Sequence, residues 1–408
     1  MKWPKVKLDT IKANARYAFV GGPFGSNLTT RDYVDEGVPV IRGNNLSADS
    51  LFLDDDFVFV AEKKASDLFA NTAYPGDVIF TQRGTLGQVG VVPLEAQFPR
   101  YIISQSQMKL SVDPEKAAAS FVYYFFRTPS TVQAVINHAL TSGVPHINLG
   151  ILKDFEIPLP PVQVQERIAS ILSAYDDLIE NNRRRMALLE EAARQLYREW
   201  FVRLRFPGHE HTPITNGLPE GWEWKTLGDL CNDVRETASP DHLEPDTPYI
   251  GLEHMPRRSI SLSEWGRADE VSSTKHRFRA GEILFGKIRP YFHKVGIAFV
   301  DGVASSDAIV IRPSADELLG VVLMAVSSDA FVASTAQSMR EGSKMPRADW
   351  KLMKQYPVLL PPHGLLTAFN EAVASIADQL KTLTFQNQKL RAARDLLLPR
   401  LMSGEIAV

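Results

Sequence analysis

The feature that most constrains this chain is a long amphipathic helix pattern that occurs twice, each time announced by a double proline. The first copy follows Pro160 and Pro161 and runs to about Trp200; the second follows Pro361 and Pro362. Apolar positions step by four and three residues through Ile168, Leu172, Tyr175, Ile179, Asn182, Met186, Leu189, Ala193, Leu196 and Trp200, a heptad seam. Adding 201 to each number gives Phe369, Val373, Ile376, Leu380, Leu383, Asn387, Leu390, Arg394, Leu397 and Leu401.

Each seam carries an asparagine, at non-equivalent places: Asn182 matches Leu383, while Asn387 matches Met186. In an antiparallel pair, with residue x facing the equivalent of 368 minus x, Asn182 meets Asn387 and Met186 meets Leu383. The same register brings Ile168 to Leu401, Leu172 to Leu397, Tyr175 to Arg394 and Trp200 to Phe369. A buried polar residue weakens a coil but fixes its register. The sequence therefore predicts two antiparallel helices about a pseudo-twofold axis near residues 184 and 385. The alternative is two ordinary helices on separate cores, but ten matching positions in each copy exceed the length of a usual globular helix.

The globular parts repeat in step. Trp222 to Leu230 echoes Trp3 to Ile11, and Thr247 to Gly251 echoes Val38 to Arg42. Ala280 to Phe285 echoes Pro75 to Phe80, and Ser305 to Ile311 echoes Ser104 to Leu110. The offset falls from 219 through 205 to 201, so scaffold strands are shared and loops differ in length. The expected organisation is a domain at 1–158, a spacer helix at 159–203, a linker at 204–220, a second domain at 221–360 and a second spacer helix at 361–408. Val6 to Ile11, Val38 to Arg42, Val78 to Phe80 and Gly90 to Val92 read as strands, and Phe121 to Phe126 and Val132 to Leu140 as helices. The fold class is α+β: two duplicated mixed α/β domains joined and spaced by two long antiparallel coiled-coil helices. Because loops diverge where strands repeat, the two domains are expected to present different surfaces on one frame, with drift in an old duplication as the plainer account.

The 408 residues, 44% hydrophobic, suffice for two or three cores. A single cysteine, Cys231, excludes an internal disulfide framework and a tetrathiolate zinc site. Residues 1–10 are charged and lack an apolar signal region, and no stretch reaches the roughly 18 apolar residues of a membrane span. A cytoplasmic protein without membrane attachment is expected. The net charge of −3 gives no global sign of nucleic-acid binding, so any such role rests on local patches or on a partner.

No catalytic constellation is found. His209-Glu210-His211 lacks a third metal ligand, and Asp54-Asp55-Asp56 lacks a partner acid at metal-loop spacing, so both read as solvated turns. Ser104 and Ser106 stand in no nucleophile-elbow context. The glycine-rich stretch Gly21 to Asn27 lacks the Gly-Lys-Ser/Thr ending of a phosphate loop. No Asn-Pro-Pro-aromatic motif of amino-methyltransferases is present.

What remains are polar and basic loop residues between repeated strands. In the first domain these are Gly22, Ser26, Asn27, Arg42, Asn44, Asn45, Gln82, Arg83, Thr85, Ser104, Gln105 and Ser106. In the second they are Lys275, Arg277, Lys287, Arg289 and Tyr291, with His276, Arg279, His293 and Lys294 in the same basic stretch, followed by Ser305, Ser306 and Lys344. Arg, Asn and Gln read base edges bidentately, and Lys, Ser and Thr suit phosphates. Each alone is better read as solvated surface; as clusters in duplicated domains they point to a bipartite ligand. Arg83 beyond one strand, and Lys287 and Arg289 beyond its repeat, suggest an edge facing nucleic acid, with salt bridging to a nearby carboxylate as the equal alternative.

The domain-helix-domain-helix order resembles the specificity subunit of type I restriction-modification systems. So do Ile157-Pro158-Leu159-Pro160-Pro161, Arg198-Glu199-Trp200-Phe201 and Leu398-Pro399-Arg400-Leu401-Met402-Ser403-Gly404-Glu405-Ile406. One departure is the second helix entry: the family carries a Glu-Gln pair after the prolines, which the first copy keeps reversed as Gln165-Glu166 and the second lacks. The resemblance implies two target-recognition domains, each reading half of a split asymmetric sequence in double-stranded DNA. The helices, including Tyr175, Ile179, Asn182, Met186, Leu189, Leu380, Leu383, Asn387, Leu390 and Arg394, would space the domains. They would also dock two modification (methyltransferase) subunits, to which restriction (ATP-dependent endonuclease) subunits bind. It implies a non-catalytic chain with no cofactor of its own, S-adenosylmethionine belonging to the modification subunits. A duplicated scaffold that binds proteins and never touches DNA is the alternative from another class.

Overall fold

The computed structural model describes residues 3–47, 50–139, 145–337 and 346–408. Two compact units do not follow chain order: one comprises Met1–Asn181 with Asn387–Val408, the other Asn182–Gln386.

In the first unit a four-stranded antiparallel sheet runs in the order Phe19–Gly21, Gln107–Leu110, Val78–Thr81, Val89–Val91. A five-stranded sheet is ordered Tyr33–Val34, Val58–Val60, Val38–Ile41, Tyr101–Ile103, Thr72–Ala73, with Val38–Ile41 parallel to Tyr101–Ile103. Val78–Thr81 is buried throughout, which is why it reads in sequence as an unbroken apolar run and not as an alternation. Helices Ala119–Arg127 and Pro129–Asn137 supply Phe121, Tyr124 and Val135 to the core. The strand expected at Val6 to Ile11 is shorter, Lys5–Lys7, and gives way to a 3-10 turn at Leu8–Ile11. Leu8 and Ile11 are both buried in the core at 0% and 1% exposure, a spacing of three that a helical turn satisfies and a strand's two-residue period does not.

The second unit repeats this plan. Its first sheet is ordered Cys231–Val234, Ala308–Pro313, Ile283–Gly286, Val295–Ala298, Ser261–Leu262; the other Thr237–Ala238, Lys275–Phe278, Gly302–Ala304, Pro248–Ile250, Gly266–Arg267. Registers coincide: Phe80 pairs with Met108 and Phe285 with Ile309, and Val40 pairs with Ile102 in parallel as Tyr249 does with Val303. Even the turns agree. The Asp77 carboxylate accepts the Tyr74 N–H at 2.9 Å beside Gly76 (φ 90°), and Glu282 accepts the Arg279 N–H at 2.9 Å beside Gly281 (φ 89°).

The long helices span Val162–Tyr197, continued by a wide turn at Arg198–Val202, and His363–Met402. All twenty seam positions are buried or half-buried. Within the first unit, Ile168 and Leu172 share a core with Leu398, Leu401 and Met402. Within the second, Trp200 lies 5.6 Å from Phe369 between ring centroids, in a core with Val373 and Leu380. The beginning of each helix thus packs with the end of the other, an antiparallel pairing in which Trp200 meets Phe369 as expected. Arg394 departs by one residue, since its guanidinium meets the carboxylate of Asp176 and not Tyr175. The helix entries differ as well. Gln165 is fully buried, accepting the Ala118 N–H at 3.0 Å and donating to the Pro160 carbonyl at 2.7 Å, whereas its counterpart Leu366 fills the same place with a buried apolar side chain.

Candidate nucleic-acid interface

In the first unit the parallel register of Val40 with Ile102 and Ile41 with Ile103 sends Arg42 and Ser104 off the same strand ends. Gly21 opposite Met108, and Thr81 opposite Gln107, send Gly22 and Gln82 off one end of the other sheet. Main-chain bonds join these exits into one edge: Ser104 N–H to Ile41 O at 2.9 Å, Gln82 N–H to Ser106 O at 2.7 Å, and Ile147 N–H to Gln82 O at 3.0 Å. The second unit builds the same edge. Ser305 N–H donates to Ile250 O at 2.9 Å, Lys287 N–H to Asp307 O at 2.7 Å, and Ala348 N–H to Lys287 O at 2.9 Å. The isolated bridges Arg83 with His146 and Ile288 with Arg347 occupy matching places too. The backbone is therefore duplicated bond for bond where the side chains are not.

The counterpart of Lys287 is Gln82, and that of Arg83 is Ile288, so the basic residues lie beyond the same repeated strand in both units but at non-equivalent positions.

The first-unit candidates divide by exposure. Ser26, Asn27, Asn44, Arg83, Thr85 and Gln105 are exposed, while Arg42, Gln82, Ser104 and Ser106 are half-buried. Asn45 is fully buried: its amide donates to the carbonyls of Leu53 (3.1 Å) and Asp55 (2.9 Å) and its oxygen accepts the Arg42 N–H (2.9 Å). It folds the loop and is removed from the contact candidates. Gly22 is also framework, because a Cβ there would lie 2.0 Å from the Ser104 carbonyl oxygen. Asn44 donates to the Asp56 carboxylate at 2.9 Å, Arg42 to the Asp56 carbonyl at 3.1 Å, and Gln105 spans to the carbonyls of Gly25 and Leu28. Arg83 makes no ion pair among the described residues.

In the second unit Lys275 is buried, its ammonium held by Ser273 Oγ at 2.7 Å and the Ser273 carbonyl at 3.1 Å, so it too is framework. Arg277, Arg289, Tyr291 and Ser306 are exposed, and Ser305 is half-buried. Lys287 donates to the Ser306 carbonyl at 3.0 Å. Burial pushes its pKa below the ordinary lysine value, against the opposing pull of Asp233 and Asp307. Lys344 lies outside the described residues. Two exposed groups near these edges were not singled out in sequence. Phe24 is 90% exposed beside Ser26, and Arg257 stacks 4.2 Å from the Phe292 ring centroid. Neither carries a local signal, since Phe24 sits in a plain turn and Arg257 lies some 35 residues from its ring partner.

The sequence pattern described as the Type I restriction modification DNA specificity domain matches residues 27–191. The type I restriction enzyme MjaIX specificity subunit of Methanocaldococcus jannaschii is 22% identical over 367 residues, covering 86% of this chain and 82% of that protein. The EcoDI specificity subunit of Escherichia coli is 24% identical over 277 residues, 62% of this chain and 61% of that protein. A crystal structure of a type I restriction-modification S subunit from M. genitalium matches the fold with a TM-score of 0.58 at 17% identity, over 98% of this chain and 96% of that one. That fold match spans both sheet-bearing units and both long helices. Residues 27–191 thus match the type I restriction-modification DNA specificity domain, and most of the chain is similar to a specificity subunit of that kind. No single helix among the described residues is long and apolar enough to cross a membrane.

Proposed function

We propose that this chain reads a bipartite, asymmetric DNA target, one half with each loop edge, and that its paired helices set the gap between the halves. The observation that carries this reading is the loop edge itself. Gln82 N–H to Ser106 O and Lys287 N–H to Asp307 O are the same bond at 2.7 Å, surrounded by different side chains. A frame that keeps its main-chain bonds while changing its exposed groups suits two different sequences read in one manner. The helices dock two modification subunits, on which restriction subunits assemble. The chain performs no chemistry; S-adenosylmethionine and base flipping belong to the modification subunits. A net charge of −3 is compatible with this role where those subunits supply part of the phosphate contact.

The test is to map methylated adenines in a genome with and without the gene, and with a chain carrying one heptad inserted in both helices. A split motif that disappears with the gene, and whose gap alone lengthens with the insertion, supports the reading. Altered half-sites with an unchanged gap contradict it, and methylation independent of the gene would favour a scaffold that binds only proteins.

A further inference from the structure

Left-handed backbone at non-glycine residues is costly, and three of the six such residues described lie together. Arg258 (φ 57°), Arg289 (φ 47°) and His293 (φ 53°) lie in two segments of the second unit joined by a 2.8 Å bond from Arg258 N–H to His293 O. Strand register identifies what the first unit has in the same loop. Phe80 faces Val89 as Phe285 faces Val295, so Gly87 corresponds to His293 and, counting from the other strand, Gly84 to Arg289. Gly84 and Gly87 are also left-handed, at φ 105° and 86°. Both copies turn at the same two places; the first uses the residue that does so freely, and the second does not.

His293 has a reason inside the protein. Its ring is buried, with Nε2 2.8 Å from the Ser327 carbonyl, and its own carbonyl holds Arg258. Behind that loop, the buried Glu190 carboxylate takes the hydroxyls of Ser259 and Ser261 and the N–H of Ser261, and Arg194 donates to the Arg258 carbonyl at 2.5 Å. Arg289 has no such reason in its side chain: its N–H donates to the Pro346 carbonyl at 2.9 Å and its carbonyl accepts the Phe292 N–H at 2.8 Å, bonds that a glycine would make equally well. Arg289 is exposed, precedes Pro290 and makes no ion pair among the described residues. The proline further narrows its allowed conformations. Its guanidinium lies 5.8 Å from the Phe292 ring, the ring that also carries Arg257, which likewise makes no ion pair there. Two cations gathered on one aromatic ring, with no ion pair among the described residues, form a local positive feature. A strained backbone position that carries an arginine, where its main-chain bonds need no side chain, points to a contact made by that side chain.

We propose that Arg289, together with Arg257 across the Phe292 ring, contacts the DNA of the half-site read by the second unit, and that the left-handed turn at Arg289 exists to aim it. This rests on the DNA-reading role proposed above. The decisive variant is Arg289→Gly, which restores the residue type the first unit uses at this turn. Assembled with its modification subunits, it is compared with wild type for its unfolding midpoint and for retention on duplexes altered in one half at a time.

The expected result is a midpoint at or above wild type, with binding weakened about 10-fold or more, either through lost selectivity in the second half-site or through a salt slope lowered by about one. Arg257→Gln should weaken binding in the same half. A lowered midpoint would mean that Arg289 serves the turn itself, and unchanged binding and salt slope would mean that it touches nothing; either overturns the proposal. If the wild-type assembly shows no sequence-selective retention, the DNA-reading role fails first and the inference falls with it.

Discussion

The guanidinium of Arg394 donates to the carboxylate of Asp176 across the helix pair of the first unit, with side chains only 4% and 9% exposed. The Tyr124 hydroxyl donates to the same carboxylate at 2.7 Å. Adding and subtracting 201, the matching places in the second unit are Ala377 and Ala193, both buried. The helix pair is thus closed by a charge pair in the first unit and by two small apolar groups in the second. Among the described residues, removing one partner leaves Asp176 ion-paired only with Arg127 at 3.8 Å, or Arg394 only with the exposed Asp395 at 2.9 Å, so Asp176→Ala or Arg394→Ala should each destabilise by up to about 3–5 kcal/mol. The double replacement, which copies the second unit, should cost clearly less than the sum. Urea unfolding of the three variants checks this, and additive losses would show that the two side chains act independently.

The register expected from the two asparagines can be tested by oxidation. Asn182 and Asn387 are each buried. The chain's one cysteine, Cys231, is buried, and burial pushes its thiol up to about 12, which leaves an unreactive background. Asn182→Cys with Asn387→Cys should form a disulfide under mild oxidation, seen as a mobility shift reversed by reductant. Asn182→Cys with Leu380→Cys, two turns away, should not; the opposite outcome would reject the register.

Stability should fall on mild acidification because of two histidines. Burial lowers the pKa of His276 and of His293 below 6.5, so each is held neutral when folded. For His276 the Lys287 charge adds to that shift, while for His293 the Ser327 carbonyl and Asp329 oppose it. The unfolded chain then binds more protons, so stability is complete above about pH 6.5 and declines as pH falls through that value. The lowered carboxylates Asp32, Asp113 and Asp229 lose their stabilising contacts only below about pH 3.8, outside this window. Unfolding midpoints at pH 5.0 and 7.5 should differ, and replacing His276 by Gln should shrink the difference. A flat profile would exclude buried neutral histidines.

In the first unit, Arg83→Ala separates two roles that the proposed DNA reading leaves to that side chain. If Arg83 reads a guanine edge, the loss is about 1–3 kcal/mol with relaxed selectivity in that half; if it holds a phosphate, all sequences weaken together and the salt slope falls by about one. Retention by the assembled methylating complex on targets mutated in each half separates these outcomes. No change in either would make Arg83 a structural residue and shift attention to Ser26, Asn27 and Gln105.

The frame was far more legible than the contacts. A seam such as Ile168 to Trp200 declares itself because burial repeats every three or four residues, and a strand such as Val78 to Phe80 because burial is continuous. Loop roles have no such period. Asn45 has the composition of a base reader, yet its amide is used up by the carbonyls of Leu53 and Asp55. Lys275 reads as a surface cation but is buried on Ser273. Whether a polar side chain satisfies its own chain or an outside ligand depends on where carbonyls several residues away happen to lie. The equivalence of Gly84 with Arg289 was hidden for a related reason: loop lengths differ, and only strand register aligns them.

The interleaved composition of the first unit bears on how the protein is made. The core formed by Ile168 and Leu172 is completed by Leu398, Leu401 and Met402, which leave the ribosome more than 220 residues later. About 200 residues of the second unit are synthesised in between. At about 5–20 residues per second, the apolar face of the first long helix waits roughly 10–40 s for its partner. During that interval it is a sticky surface on a nascent chain, open to chaperones and to other nascent chains, and the first unit completes its core only after the second has been synthesised.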